Sequence, residues 1–96
     1  MTIKAIVEMH ARRGRRAELL AALENFHERR KDAPGFVGYE LYEMMDDPDK
    51  LIEIVEWETR EARQAWLEHA TASGVLSRVV GMLRKSFDAV TVRRLE

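Results

Sequence analysis

Trp66 and His69 stand three residues apart in a segment with helical patterning, so they share one side of a helix. Together they offer a broad apolar ring for stacking and a group that titrates near neutral pH. That pair suits a site that binds an aromatic molecule and anchors or removes its proton. His27 follows Phe26 at the edge of an apolar stripe, and His10 lies on the mixed face of a first strand. Tyr39 and Tyr42 point to opposite faces of one strand, so at most one enters a given cleft. Glu40, Glu53 and Glu56 are strand carboxylates that pair across strands or line a cleft. Each also has a plainer role. Trp66 and Trp57 suit a core or interface, His69 a helix end, and His10 and His27 a half-buried site with a satisfied tip.

Other chemistry is missing from the pattern. With no Cys there is no disulfide, thiolate ligand or Cys nucleophile. No zinc-type or di-iron spacing occurs, and Glu8-x-His10 offers only two ligands, so no metal is expected. Gly35, Gly38 and Gly74 are isolated and form no phosphate loop, and no Ser lies in a nucleophile elbow. A bound flavin or nucleotide is not expected either.

The elements that must position these residues follow from periodicity. Residues 2–10 alternate as a strand, with Ile3, Ala5, Val7 and Met9 on one face. Residues 15–32 read as a helix whose stripe is Leu19, Leu20, Leu23, Phe26 and His27, with Arg29, Arg30 and Lys31 mostly outside it. Pro34 ends that helix. Residues 36–45 and 51–58 form a hairpin around Asp46-Asp47-Pro48-Asp49. Both strands carry apolar residues on both faces, which predicts that helices cover one face and a partner subunit the other. Thr59 caps a helix whose inward face is Ala62, Ala65, Trp66 and His69, and Thr71 to Gly74 interrupt it. A third helix over roughly 74–85 and a strand over 88–95 complete the chain. This order predicts an α+β fold of the ferredoxin-like, split β-α-β type, with one four-stranded antiparallel sheet and helices on one face.

The 96 residues make one domain, 1–96, whose size favours association. A net charge of −1 provides no field for nucleic acid or an acidic membrane. The Arg12, Arg13, Arg15 and Arg16 cluster reads as a solvated turn beside Glu18 and Glu24. The opening MTIKAIVEMH lacks a signal-peptide pattern, and no apolar run approaches the ~18 residues of a membrane span. A cytoplasmic protein is expected.

Several short strings, taken in order, resemble the antibiotic biosynthesis monooxygenase domains of the dimeric α+β barrel superfamily. They are Gly14 at the strand–helix junction, Pro34-Gly35-Phe36, Gly38-Tyr39-Glu40-Leu41-Tyr42, Asp46-Asp47-Pro48-Asp49, Glu56-Trp57-Glu58-Thr59 and Ala65-Trp66-Leu67. The resemblance spans essentially the whole chain. It implies a homodimer whose two sheets pack face to face, with a ligand cleft between sheet and helices in each subunit. It also implies a cofactor-independent monooxygenase that oxidises an aromatic, polyketide-like phenol to a quinone. Under it, Trp66, His69 and His27 are the catalytic candidates, and Trp66, Phe26, Tyr42 and His10 the substrate-binding ones. The alternative on the same fold is a non-oxidative binding or isomerase-like protein. The haem-degrading branch fits less well. Trp66 matches its Trp, but Val7 stands where an Asn is required and Leu76 where the ligating His is required.

Overall fold

The computed structural model describes residues 1–95; Glu96, the last residue of the expected domain, lies outside the described residues. The elements are β1 (Ile3–His10), α1 (Arg16–Arg30), β2 (Phe36–Met44), β3 (Asp47–Trp57), α2 (Arg60–Ala72), α3 (Val75–Val80) and β4 (Asp88–Val92). The four strands form one antiparallel sheet in the order β2-β3-β1-β4, the ferredoxin-like arrangement.

Alternation along the strands sorts the side chains into two faces. Ala5, Val7 and Met9 pair across from Val55, Glu53 and Leu51, and Tyr39 and Leu41 extend that face onto β2. Leu19, Ala22, Leu23 and Phe26 of α1, Trp66 and Ala70 of α2, and Val75 and Val79 of α3 join them in the core. The opposite face carries Ile6, Ile52, Ile54, Val90 and Tyr42 among Lys4, Glu8, His10, Lys50 and Glu56. Tyr42 and Val90 are 46% and 58% exposed there.

Three boundaries differ from the sequence reading. The hairpin turn is confined to Met45 and Asp46, and β3 starts at Asp47 rather than residue 51. Pro48 is tolerated because β1 pairs with β3 only as far as Lys50, and the β2–β3 register shifts at Glu43/Met44. Asp47 Oδ1 accepts the Asp49 N–H at 3.1 Å and shapes that end. The third helix stops at Val80, because residues 81–84 are drawn along the end of β1. Arg12 N–H donates to Met82 O at 2.9 Å, Arg84 N–H donates to His10 O at 2.8 Å, and Ala11 bridges Leu83. The last strand stops at Val92, where its pairing to Lys4 ends. Thr59 caps α2 as expected, its Oγ1 accepting the Ala62 N–H at 3.0 Å.

Candidate functional site

Between the sheet and the helices lies a cavity of about 50 Å³. Most of its wall is apolar: Met9, Leu23, Phe26, Val55, Trp66 and Val79 contribute. Trp66 and Phe26 meet edge to face, centroids 5.5 Å apart. Arg30, Glu53 and Arg63 give the cavity an ionised edge.

Glu53 occupies an inward position of β3, so the period of the strand buries its carboxyl, which is 5% exposed. A buried carboxylate needs partners, and α1 supplies two. His27 Nε2 lies 2.6 Å from Oε2, while Arg30 NH1 and NH2 donate to Oε1 and Oε2 at 3.0 and 3.1 Å. Burial alone would push the Glu53 carboxyl up. The hydrogen bonds and charges of His27 and Arg30 outweigh burial and hold it below the usual carboxylate value. Arg63 is partly buried near the same carboxylate. Burial pulls its guanidinium down, and the charge of Glu53 opposes this. Arg30 is also boxed by aromatic faces, its Cζ 5.4, 5.0 and 5.0 Å from the centroids of Phe26, Phe36 and Tyr39.

Two buried donors have no acceptor among the described residues: Arg30 Nε and Trp66 Nε1. Both side chains line the cavity.

The candidate residues fall into four places. Trp66 and Phe26 line the cavity. His27 is buried between Glu53 and Tyr39, its ring 4.0 Å from the Tyr39 ring, and it lines a groove on the outer side of α1. His69 is exposed on the far side of Trp66, centroids 5.5 Å apart, in an outer groove with Ala65 and Pro34. The inward face of α2 is rotated from the expected one: Trp66 and Ala70 are buried, whereas Ala65 and His69 are not. His10 and Tyr42 stand on the sheet face away from the cavity, with the Tyr42 hydroxyl donating to Glu40 at 2.7 Å. On that face Asp88 joins Glu8 and His10, their ligand atoms within 4.8 Å of one another. The β1–β4 pairing, which strand spacing alone does not reveal, brings the third group in. Each of the three already meets a cation of the protein, Lys50, Arg84 or Lys85.

Arg30 and Arg63 were not singled out from the sequence, and Glu53 only as one of three strand carboxylates that pair across strands or line a cleft. The signal for Arg30 was present, since Leu19, Leu23, Phe26 and Arg30 fall at i, i+4, i+7 and i+11. Among the described residues, no helix is long and apolar enough to cross a membrane.

A protein-family model described as antibiotic biosynthesis monooxygenase matches residues 2–74. No curated protein sequence matches the chain. Among solved structures, a conserved protein from Methanosarcina mazei superposes with a TM-score of 0.88 at 14% identity, over 99% of this chain and 94% of that one. SnoaB from Streptomyces nogalater, a cofactor-independent oxygenase, gives 0.86 at 14% identity, over 99% and 94%. A protein from Mycobacterium tuberculosis gives 0.85 at 19% identity, over 100% and 97%. At these identities the likenesses are of fold.

Proposed function

Because the chain belongs to the antibiotic biosynthesis monooxygenase family, we propose that it is a monooxygenase that oxidises an aromatic phenol to a quinone with dioxygen and no resident cofactor. The observation that carries this reading is the interior cavity, which joins an aromatic and aliphatic wall to an ionised, hydrogen-bonding edge.

A phenolate is electron-rich enough to pass electrons to dioxygen directly. One oxygen atom replaces a ring hydrogen and the other leaves as water. The substrate supplies all four electrons, so the reaction balances without a further reductant. The residues then have distinct tasks. Phe26 and Trp66 hold the ring, and the apolar wall excludes water from the intermediates. The phenol proton passes to the Glu53–His27 pair. Glu53 faces the cavity and His27 faces the groove beyond, so the pair spans the two. The 2.6 Å contact between Glu53 and His27 is the path by which that proton reaches the groove. His27 is favoured over His69 as the base by this connection.

The cavity has about a third of the volume of the engineered ~150 Å³ void that binds benzene, so a ring is admitted only as wall side chains such as Leu76, Val79 and Phe87 move outward. Its small size also supports the second reading, a non-oxidative protein for a smaller metabolite. A second copy of the chain covers the open sheet face in our reading. Ile6, Ile52, Ile54 and Val90 support this, and His10 and Tyr42 then belong to the seam between subunits.

Oxygen uptake by metal-free protein, on a panel of dihydroxynaphthalenes and anthrones with boiled protein as blank, tests the activity. The expected result is saturable uptake with one labelled oxygen from ¹⁸O₂ in each quinone. Hydrogen peroxide in place of water would mean an oxidase. No uptake on any member would overturn the oxygenase reading in favour of the second one.

A further inference from the structure

Three outer grooves approach the cavity, and each shares a single residue with its wall. Leu23 stands between the cavity and the groove on the outer side of α1. Trp66 stands between it and the groove that holds Pro34 and His69. Arg63 stands between it and a third groove, where Arg60, Glu61 and Gln64 of α2 meet Ile3 of β1 and Thr91 of β4. Arg63 precedes Trp66 by three residues on α2, so both reach the cavity from one side of that helix.

The three partitions differ in what holds them. Leu23 is buried in the core cluster and gains nothing by moving into water. Trp66 is buried against the Phe26 ring, with the His69 ring 5.5 Å away on its outer side. Arg63 is only half-buried, and among the described residues its guanidinium has no hydrogen bond or ion pair. Burial acts against its charge, and the field of Glu53 draws it inward. The third groove is polar and open to water, which is where a guanidinium on a flexible stem is ordinarily placed. Two opposed pulls of this kind leave little free energy between an inward and an outward side chain. The α3 side of the wall, by contrast, is held by the Arg12–Met82 and Arg84–His10 backbone bonds.

We propose that Arg63 is the gate of the cavity, and that ligand enters and leaves through the third groove as the side chain swings between the cavity edge and water. The proposal rests on the proposed function for the cavity being where ligand binds, but not for the oxidation. It gives the two kinds of traffic separate routes. The organic ligand passes Arg63, and the proton leaves by the Glu53–His27 pair into the groove beside α1.

The probe is acrylamide, a small contact quencher of indole fluorescence, because Trp57 and Trp66 are both buried and both line the cavity. It requires neither turnover nor a known substrate. The quenching rate constant is measured on the full chain and on Arg63→Ala and Arg63→Met. Alanine removes the plug and should raise the constant about tenfold, since a gate open about a tenth of the time holds entry back by that factor. Methionine keeps the length of the side chain without the charge that draws it to water, so it should lower the constant below that of the parent. A movable gate requires this order. Arg63→Met equal to the parent means a fixed wall, Arg63→Ala equal to it means another route, and a rise in both means a loosened core. Each of these overturns the proposal. Because the chain has no cysteine, Lys31→Cys and Asp32→Cys place single thiols on the other two grooves. Capping either with benzyl methanethiosulfonate should leave quenching unchanged; slowing at one of them moves the entrance there and overturns the gate. The expected order without oxygen uptake on the dihydroxynaphthalene panel would remove the oxygenase reading and keep the gate. Uptake with quenching indifferent to Arg63 would do the reverse.

Discussion

Glu53→Leu isolates the energetic role of the buried ion cluster. The substitution leaves Arg30 only 2% exposed, with NH1 and NH2 stripped of their acceptors at 3.0 and 3.1 Å and its charge unpaired. His27 loses its 2.6 Å partner as well. Breaking a buried pair on one side typically costs about 3–5 kcal/mol. A domain of 96 residues has roughly 5–14 kcal/mol in total, so the loss is about a fifth of the stability or more. At about 4–8 °C per kcal/mol for this size, the melting temperature should fall by at least about 12 °C. The paired change Arg30→Met with Glu53→Leu removes both charges and should recover to within about 1 kcal/mol of the parent, since apolar replacement of a whole buried pair is often neutral. The assay is urea unfolding followed by tryptophan fluorescence, with protomer concentration fixed because association would add its own stability. The reasoning fails if Glu53→Leu alone costs less than about 1 kcal/mol, or if the costs of the two single changes simply add in the double variant.

The same carboxylate sets a pH dependence. Glu53 is held low in the folded state and reverts on unfolding, so its contribution is complete above its ordinary 4.5 and is lost as pH falls toward the folded value. Glu53→Gln should therefore lose stability less steeply than the parent in an acid titration below that point. Gly35 sits at φ 82°, and a Cβ there would stand 2.6 Å from Ala62 Cβ. Gly14, at φ 77°, has open space around it. Gly14→Ala should thus cost about 1–2 kcal/mol from the left-handed backbone alone, and Gly35→Ala clearly more in parallel melts, equal costs counting against the clash. Thr59→Ala removes the acceptor of the Ala62 N–H and should cost about 1 kcal/mol in the same measurement.

Period, caps and breakers made most of the fold legible. The alternation of residues 2–10, the proline after α1 and the Thr59 cap all act locally, and each carries its own signature. The misplaced boundaries have tertiary causes. Pro48 reads as a breaker until it is known that β1 has already stopped pairing there. The end of α3 is set by hydrogen bonds to residues about 70 positions earlier in the chain. For the site, stripe reasoning found Phe26 and Trp66 because large rings seek the interior. It set Arg30 aside because arginine ordinarily stays wet, and only the juxtaposition with Glu53 makes its burial intelligible. It also admitted His69 to the inward face of α2, since a three-residue offset allows a range of angles that only packing narrows.

The stitching of residues 81–84 to the end of β1 has a kinetic consequence. α3 carries Leu76 and Val79, and the segment after it leads to Phe87, all of which wall the cavity. That wall is tethered by the Arg12–Met82 and Arg84–His10 backbone bonds and by Arg12 Nε donating to Gly81 O at 3.0 Å. Swinging α3 away as a body therefore requires those bonds to break together. Deuterium uptake at the Arg12 and Arg84 amides then becomes a clock for the opening of the cavity. A ligand lodged behind α3 would slow both amides by the same factor, while amides on the distant β2 edge kept their own pace.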